Sequence, residues 1–381
     1  MNQMTTRNFA LDTLRGFAAI GILVWHYQNF FSINGTFEQP FQNELAMLYK
    51  HGFVMVDFFF CLSGFIFYQK YSSSISSQSI SFRDFIVLRL TRLYPLIFVT
   101  LIVTCILNYF LLYNTGKFFI YQENDLLNFL LNLAFLQHGF FKVGFSFNAP
   151  SWSIGIEFWL YVLFFFTALN AKKNLPYVTG LLAITFSSLS NNETRLGVFV
   201  FNEAFERGIS DFFIGGVVYY LTICLEKESV KFRNIIGFAV FSISIATLII
   251  CSLKYSNESY PLIGYLMIHE DLALFLVAFP GMVFAFSVSP LLEFLLSRKI
   301  FKFFGDISYS SYLWHVPMQL LIITAVVICD LSLNLGSKKF FISYILLVIV
   351  ISYASCNFFE KPIQSYYRKR LLNIDKSISP Q

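Results

Sequence analysis

Apolar residues run along this chain in long blocks broken by short polar stretches. The blocks lie near residues 10–31, 52–69, 93–113, 126–141, 152–169, 175–190, 208–225, 235–253, 262–288, 304–329 and 340–359. Many span about 18–25 residues, the length an α-helix needs to cross a hydrocarbon layer of roughly 30 Å. The pattern predicts an all-α polytopic membrane protein. Basic residues between the blocks then predict which loops stay in the cytoplasm. Arg83, Arg89 and Arg92 mark one such loop, Lys172 and Lys173 a second, Lys227, Lys231 and Arg233 a third, and Arg298, Lys299 and Lys302 a fourth. The tail EKPIQSYYRKR marks a fifth. These fit alternate sides only if the 126–141 block, with its Asn128, Asn132, Gln137 and His138, re-enters or lies at the interface. The expectation is about ten transmembrane helices, both termini cytoplasmic, and the loops near Asn34 and Asn257 outside. Lys338 and Lys339 then fall outside, against the charge rule.

Composition narrows the class. Of 381 residues, 56% are hydrophobic and 13% charged, whereas a soluble protein carries about 25% charge. The basic residues behind the net charge of +5 sit in the loops, where topology accounts for them, so no nucleic-acid partner is implied. The six cysteines form no CxxC pair and lie almost entirely in or beside apolar blocks. Neither a disulfide framework nor a metal site is expected. Residues 1–370 read as a single transmembrane domain and 371–381 as a short polar cytoplasmic tail, with no soluble domain appended. Asp12, Arg15 and His26 interrupt the first block, which therefore reads as a retained span and not as an ordinary signal peptide.

Those three residues raise the question of chemistry. Asp or Arg at the centre of a membrane helix costs roughly 2.5–3.5 kcal/mol on insertion scales. At about 100° per residue, the steps from Arg15 to His26 close to within about 20° of whole turns, and Asp12 lies three residues before Arg15. All three share one stripe, with His26 about 16 Å above Arg15. Asp12 and Arg15 can pair near the cytoplasmic end, which leaves His26 without a local partner. Arg89 and Arg92 lie on one helix face at the cytoplasmic boundary, a spacing that suits either phosphate binding or simple anchoring. In NAPSWSIGIEFWLYVLFFF, Ser153, Glu157 and Tyr161 share a face just after Trp152. In FFGDISYSSYLWHVP, Ser308, Tyr312 and His315 share another. Asp57 and the Ser63-Gly64 pair interrupt the second block, a weaker signal.

In order along the chain, LDTLRGFAAIGILVWH, GFVMVDFFFCLSGFIF, RLTRLYP, PSWSIGIEFWLY, GDISYSSYLWHVP and FEKP resemble the motifs of the acyltransferase 3 family, integral membrane enzymes that acylate carbohydrates. The set covers Leu11 to Pro362. The resemblance implies about ten transmembrane helices and transfer of an acyl group, usually acetyl from acetyl-CoA, to a sugar hydroxyl. By motif position it makes His26 the catalytic histidine, Arg15, Arg89 and Arg92 functional arginines, and Glu157 the acidic residue of the tryptophan-serine motif. Ile154 and Gly155 depart mildly from that motif. Some members carry an extra extracytoplasmic hydrolase-like domain, and none is expected in these 381 residues.

Residues and resemblance join in one expectation. Coenzyme A phosphates meet the donor-side arginines Arg15, Arg89 and Arg92, the thioester reaches the level of His26, and a neutral imidazole takes the sugar hydroxyl proton. Glu157 is expected beside His26 and Asp12 beside Arg15, while Trp152, Ser153, Ser308, Tyr312 and His315 support the site or bind acceptor. The co-substrate is acyl-CoA, with no tightly bound cofactor. The partners are membrane lipid and a saccharide of O-antigen, exopolysaccharide or capsule type, or a lipid-linked one, at the inner (plasma) membrane. The rival readings are a secondary transporter or flippase for a lipid-linked sugar or acyl compound, a succinyl or other donor with a different acceptor, and a sensor or scaffold without chemistry. Intramembrane charges suit a carrier equally well, but neither the inverted repeats nor the broken-helix pairs frequent in carriers are visible in the sequence.

Overall fold

Polar side chains set the helix ends. Asn8 caps the first helix by accepting from the backbone N–H groups of Ala10 and Leu11. Ser81, Asn202 and Ser337 cap three others in the same way. Gly116, at a φ of 72°, closes the longest helix in the left-handed conformation that glycine adopts without strain. These ends come from a computed structural model, which describes residues 8–32, 38–138, 144–190, 202–256 and 273–371. The loops at Asn34 and Asn257, the end of the 126–141 block and the tail from residue 372 lie outside the described residues.

The helices are α1 (Phe9–Tyr27), α2 (Ala46–His51), α3 (Met55–Ser76), α4 (Phe82–Thr115), α5 (Leu126–Leu133), α6 (Trp152–Ala171) and α7 (Leu175–Ser190). They continue as α8 (Glu203–Leu225), α9 (Val230–Ser256), α10 (Phe279–Val288), α11 (Pro290–Leu296), α12 (Lys299–Cys329), α13 (Lys338–Ala354) and α14 (Lys361–Leu371). Among the described residues there is no strand. The bundle's exterior is apolar: Ile106, Leu181, Ile184, Ile249 and Val350 stand more than half exposed. Hydrocarbon, not water, suits such a surface.

Eight helical stretches among the described residues are long and apolar enough to cross a membrane, and nine if the bent pair Leu274–Val288 and Pro290–Leu296 adds one. One of the eight, Ala149–Ser188, runs 40 residues, about 60 Å if straight and twice the hydrocarbon layer. It breaks at Lys172, whose φ of 45° is left-handed, so α6 and α7 are separate limbs. Counting them as two crossings brings the number to the expected ten. The direction of α12 agrees. The pairs Arg15–Ser308 and His26–Gln319 are both 293 residues apart, so α1 and α12 run parallel in constant register. Parallel spans need an odd number of crossings between them, and α3, α4, α6, α7, α8, α9 and α10 supply seven. Helix α5 has eight residues, about 12 Å, too short to cross.

Association of helices in lipid rests on close packing. A Cβ on Gly16 would lie 2.6 Å from the Phe304 carbonyl carbon, and one on Gly305 would overlap the Asp12 carbonyl. Helices α1 and α12 therefore touch backbone to backbone. Gly64 and Gly215 let α3 and α8 do the same, against the Phe212 and Cys61 carbonyls. Helix α13 runs antiparallel to α12, with Tyr344 bonded to the His315 carbonyl and Tyr353 against Phe303. The described chain thus returns to the end of the bundle where it began.

Candidate active site

The site is built on the α1–α12 pair. At its lower end the Arg15 guanidinium lies 2.8 Å from Asp12 Oδ1 and donates through Nε to Ser308 Oγ at 3.2 Å. Three turns higher, the His26 ring packs 4.6 Å from the His315 ring. His26 Nδ1 is 3.1 Å from the Ile22 carbonyl. A carbonyl can only accept, so Nδ1 carries the proton and Nε2 keeps its lone pair. Exposure separates the two histidines: His26 retains 7% and His315 none. His26 is the less enclosed of the two imidazoles. Neither nitrogen of His315 makes a hydrogen bond of ordinary geometry, the Tyr312 and Ser311 carbonyls being its nearest acceptors. Gln319 donates to the His26 carbonyl at 2.8 Å and takes a bond from Asn29, which fixes the end of α1.

Pro317 explains how α6 reaches this pair. A proline has no N–H, so the carbonyl four residues earlier, Leu313, loses its helical partner. Asn148 Nδ2 donates to it at 2.9 Å. That bond draws in the turn before α6. Tyr312 donates to the Pro150 carbonyl at 2.7 Å, which leaves its oxygen to accept from Ser153, also at 2.7 Å. The Trp152 ring makes T-shaped contacts with Phe60 and His138.

Glu157 lies elsewhere than expected. Its carboxylate accepts from Ser63 Oγ at 2.5 Å and from the Tyr161 hydroxyl. Helix α6 runs antiparallel to α12, and Ser153 already meets Tyr312, three residues short of His315. Each further turn of α6 descends, so Glu157 sits about 10 Å below the histidines. His315, not Glu157, occupies the place beside His26. Asp12 lies against Arg15, where helix spacing put it.

Below Glu157 the polar line continues. The Tyr161 ring stacks on Phe67 at 3.9 Å. The Arg89 guanidinium lies over the rings of Tyr71, Phe67, Phe85 and Tyr161 at 5.0–6.0 Å and donates to the Tyr71 hydroxyl at 2.6 Å. Arg89 is 5% exposed, and its Nε has no partner. Arg92 is within electrostatic reach of Tyr161, Tyr309 and Glu360. A thread of buried and half-buried polar groups thus runs from His26 and His315 through Tyr312, Ser153, Glu157 and Tyr161 to Arg89, about 16 Å by helical rise.

The chain matches the family described as "Acyltransferase domain" over residues 8–357. It belongs to the acyltransferase 3 family. It is also similar to the "Putative peptidoglycan O-acetyltransferase YrhL" of Bacillus subtilis (strain 168), with 25% identity over 395 aligned positions. The alignment covers 93% of this chain and 54% of that relative, so the chain spans about half the relative's length. No solved structure matches the chain.

In this acyltransferase 3 chain, several polar groups of the bundle have partners that the sequence pattern does not mark. Arg207 holds Asp57 through two bonds of 3.1 and 2.5 Å, an ion pair between α3 and α8. Gln319 braces α1, and Ser63 binds Glu157. Ser63 was visible as a polar break in an apolar block. Arg207 and Gln319 had no local pattern to mark them.

Proposed function

We propose that this protein is an O-acyltransferase of the plasma membrane. It takes an acyl group, acetyl by preference, from acyl-CoA on the cytoplasmic side and transfers it to a hydroxyl of a cell-surface or lipid-linked saccharide. One observation carries the reading. The less enclosed histidine, with its Nδ1 proton committed to a carbonyl and its Nε2 open, stands at one end of a polar thread, and a buried, incompletely bonded arginine stands at the other. The thread has the reach of an extended pantetheine arm. Family membership favours acyl transfer over the carrier reading. The relative's name supports an acetyl group and a glycan acceptor. Arg83, Lys172, Lys173, Lys227, Arg233, Lys299 and Lys302 gather at or near the end where α1 begins, which supports a cytoplasmic assignment for that end.

The chemistry follows from the geometry. Arg89 and Arg92 bind the donor's phosphates, with Arg15 on the same side. A saccharide hydroxyl approaches His26 Nε2, which takes its proton as the oxygen attacks the thioester carbonyl. The carbon–sulfur bond breaks, and His26 returns the proton to the departing thiolate. The products are an ester and free coenzyme A. The His315 ring packs beside that of His26, tilted by 48°, and holds it in position. Glu157, Ser63 and Tyr161 line the path of the arm.

Mass spectrometry of the surface glycan tests this. Cells with the intact protein should carry an acyl mass increment that cells lacking it, or carrying His26→Gln, do not. Identical glycan masses in all three would overturn the proposal.

A further inference from the structure

Arg89 and Arg92 are not alone at their end of the bundle. Tyr71, on α3, lies at the centre of four cations. Arg89 binds its hydroxyl, Lys70 Nζ lies 5.7 Å from its ring, and Arg92 and Arg368 are within electrostatic reach. Arg368 arrives from the far end of the chain. Glu360, bonded to Ser310 at 2.6 Å and Ser355 at 2.9 Å, anchors the turn before α14, and α14 packs on α4. Among the described residues no carboxylate lies within ion-pair distance of any of the four. Like charges gathered without a counter-ion at ion-pair distance repel one another, Glu360 reaching only Arg92 of the four and only at longer range. The unpartnered Nε of Arg89, buried among them, marks a donor reserved for an anion that comes and goes.

The four divide into two tiers. Arg89 and Arg92 reach inward to Tyr161, and Arg92 also to Tyr309. Among the described residues, the charged groups that act on Lys70 and Arg368 cluster around Tyr71. Coenzyme A has two tiers as well. Its diphosphate joins the pantetheine arm, and a separate phosphate hangs from the ribose 3′ carbon, farther from the thioester. With the arm pointing up the polar thread, the diphosphate meets the inner pair and the ribose phosphate the outer pair. A phosphomonoester carries about −1.5 to −2 at neutral pH, a charge that two cations balance.

We propose that Lys70 and Arg368 form a subsite for the 3′-phosphomonoester of coenzyme A, outside the diphosphate pair Arg89 and Arg92. This rests on the reading that the donor is an acyl-CoA. It gives the protein a means of selecting coenzyme A over carriers that share the pantetheine arm and lack the ribose phosphate.

The test compares coenzyme A with 3′-dephospho-coenzyme A, titrated by calorimetry into the purified chain in phosphatidylcholine nanodiscs, where no anionic lipid competes. The intact protein should bind coenzyme A more tightly, by about tenfold or more for each charge-assisted hydrogen bond that the 3′-phosphate makes. The Lys70→Gln, Arg368→Gln double variant should bind the two ligands alike, while its affinity for the dephospho form stays within about twofold. Arg89→Gln should instead weaken both ligands to the same degree. Equal binding of the two ligands by the intact protein, which needs no variant to fold, would overturn the subsite and leave the donor reading standing. So would a double variant that keeps the full preference. Failure of the intact protein to bind either ligand would remove the donor reading and the subsite with it.

Discussion

Replacing His26 with Gln separates chemistry from architecture. The Gln side-chain amide can still donate to the Ile22 carbonyl 3.1 Å from the native ring nitrogen, but it cannot accept a proton near neutral pH. Loss of a general base costs about 10²–10⁴ in rate, or roughly 2.7–5.5 kcal/mol of barrier. The donor phosphates are held about 16 Å away by other residues, so affinity for acyl-CoA should not change. The structural cost should also be small, because a replaced hydrogen bond to a carbonyl is worth about 1 kcal/mol. The assay is transfer from labelled acetyl-CoA to acceptor in nanodiscs, with donor affinity measured on the same preparation. The native rate should rise with pH through one ionisation, because only the neutral imidazole accepts a proton, and should be lost as pH falls below that ionisation. The variant should be slow at every pH. A Gln variant within about threefold of the native rate, far short of the loss a general base implies, would refute His26 as the base and leave it a packing residue.

Two further outcomes test the fold. Asn148→Ala removes the donor to the Leu313 carbonyl, which Pro317 deprives of its helical partner; with Asn148 only 1% exposed, the orphaned carbonyl should cost about 1–3 kcal/mol. Denaturant or thermal unfolding in detergent reads this, and an unchanged midpoint would mean another group satisfies the carbonyl. Single cysteines at positions 78 and 338, in a background without native cysteines, should be sheltered from and open to an external thiol reagent respectively; the reverse pattern would invert the assigned topology.

Helix class was legible from block length alone, since an apolar block of about 18–25 residues suits a spanning helix, whereas the strands of a membrane barrel need only about 9–11. Asp12 and Arg15 came together as expected, because spacing along one helix fixes which residues share a stripe. Glu157 did not fall beside His26. The height of one helix against another depends on where each enters the bundle, and that is set here by Asn148 and Pro317, residues with no charge to draw notice. Arg207 pairs with Asp57 across 150 residues, a distance at which local periodicity carries no information. The break at Lys172 was announced only by two lysines, and it proved to be the point that makes α6 and α7 two limbs instead of one.

The constant 293-residue offset between α1 and α12 has a consequence for how this protein can change. With Gly16 and Gly305 in backbone contact, neither helix can slide or roll against the other. Inserting one residue into α1 between Arg15 and His26 would swing the imidazole about 100° and raise it about 1.5 Å, pulling it off His315 unless α12 gained a residue at the same level. The two helices therefore behave as a single caliper. Side chains on it can be exchanged to suit a new acyl group or acceptor, but its span can be reset only by matched changes in segments nearly three hundred residues apart.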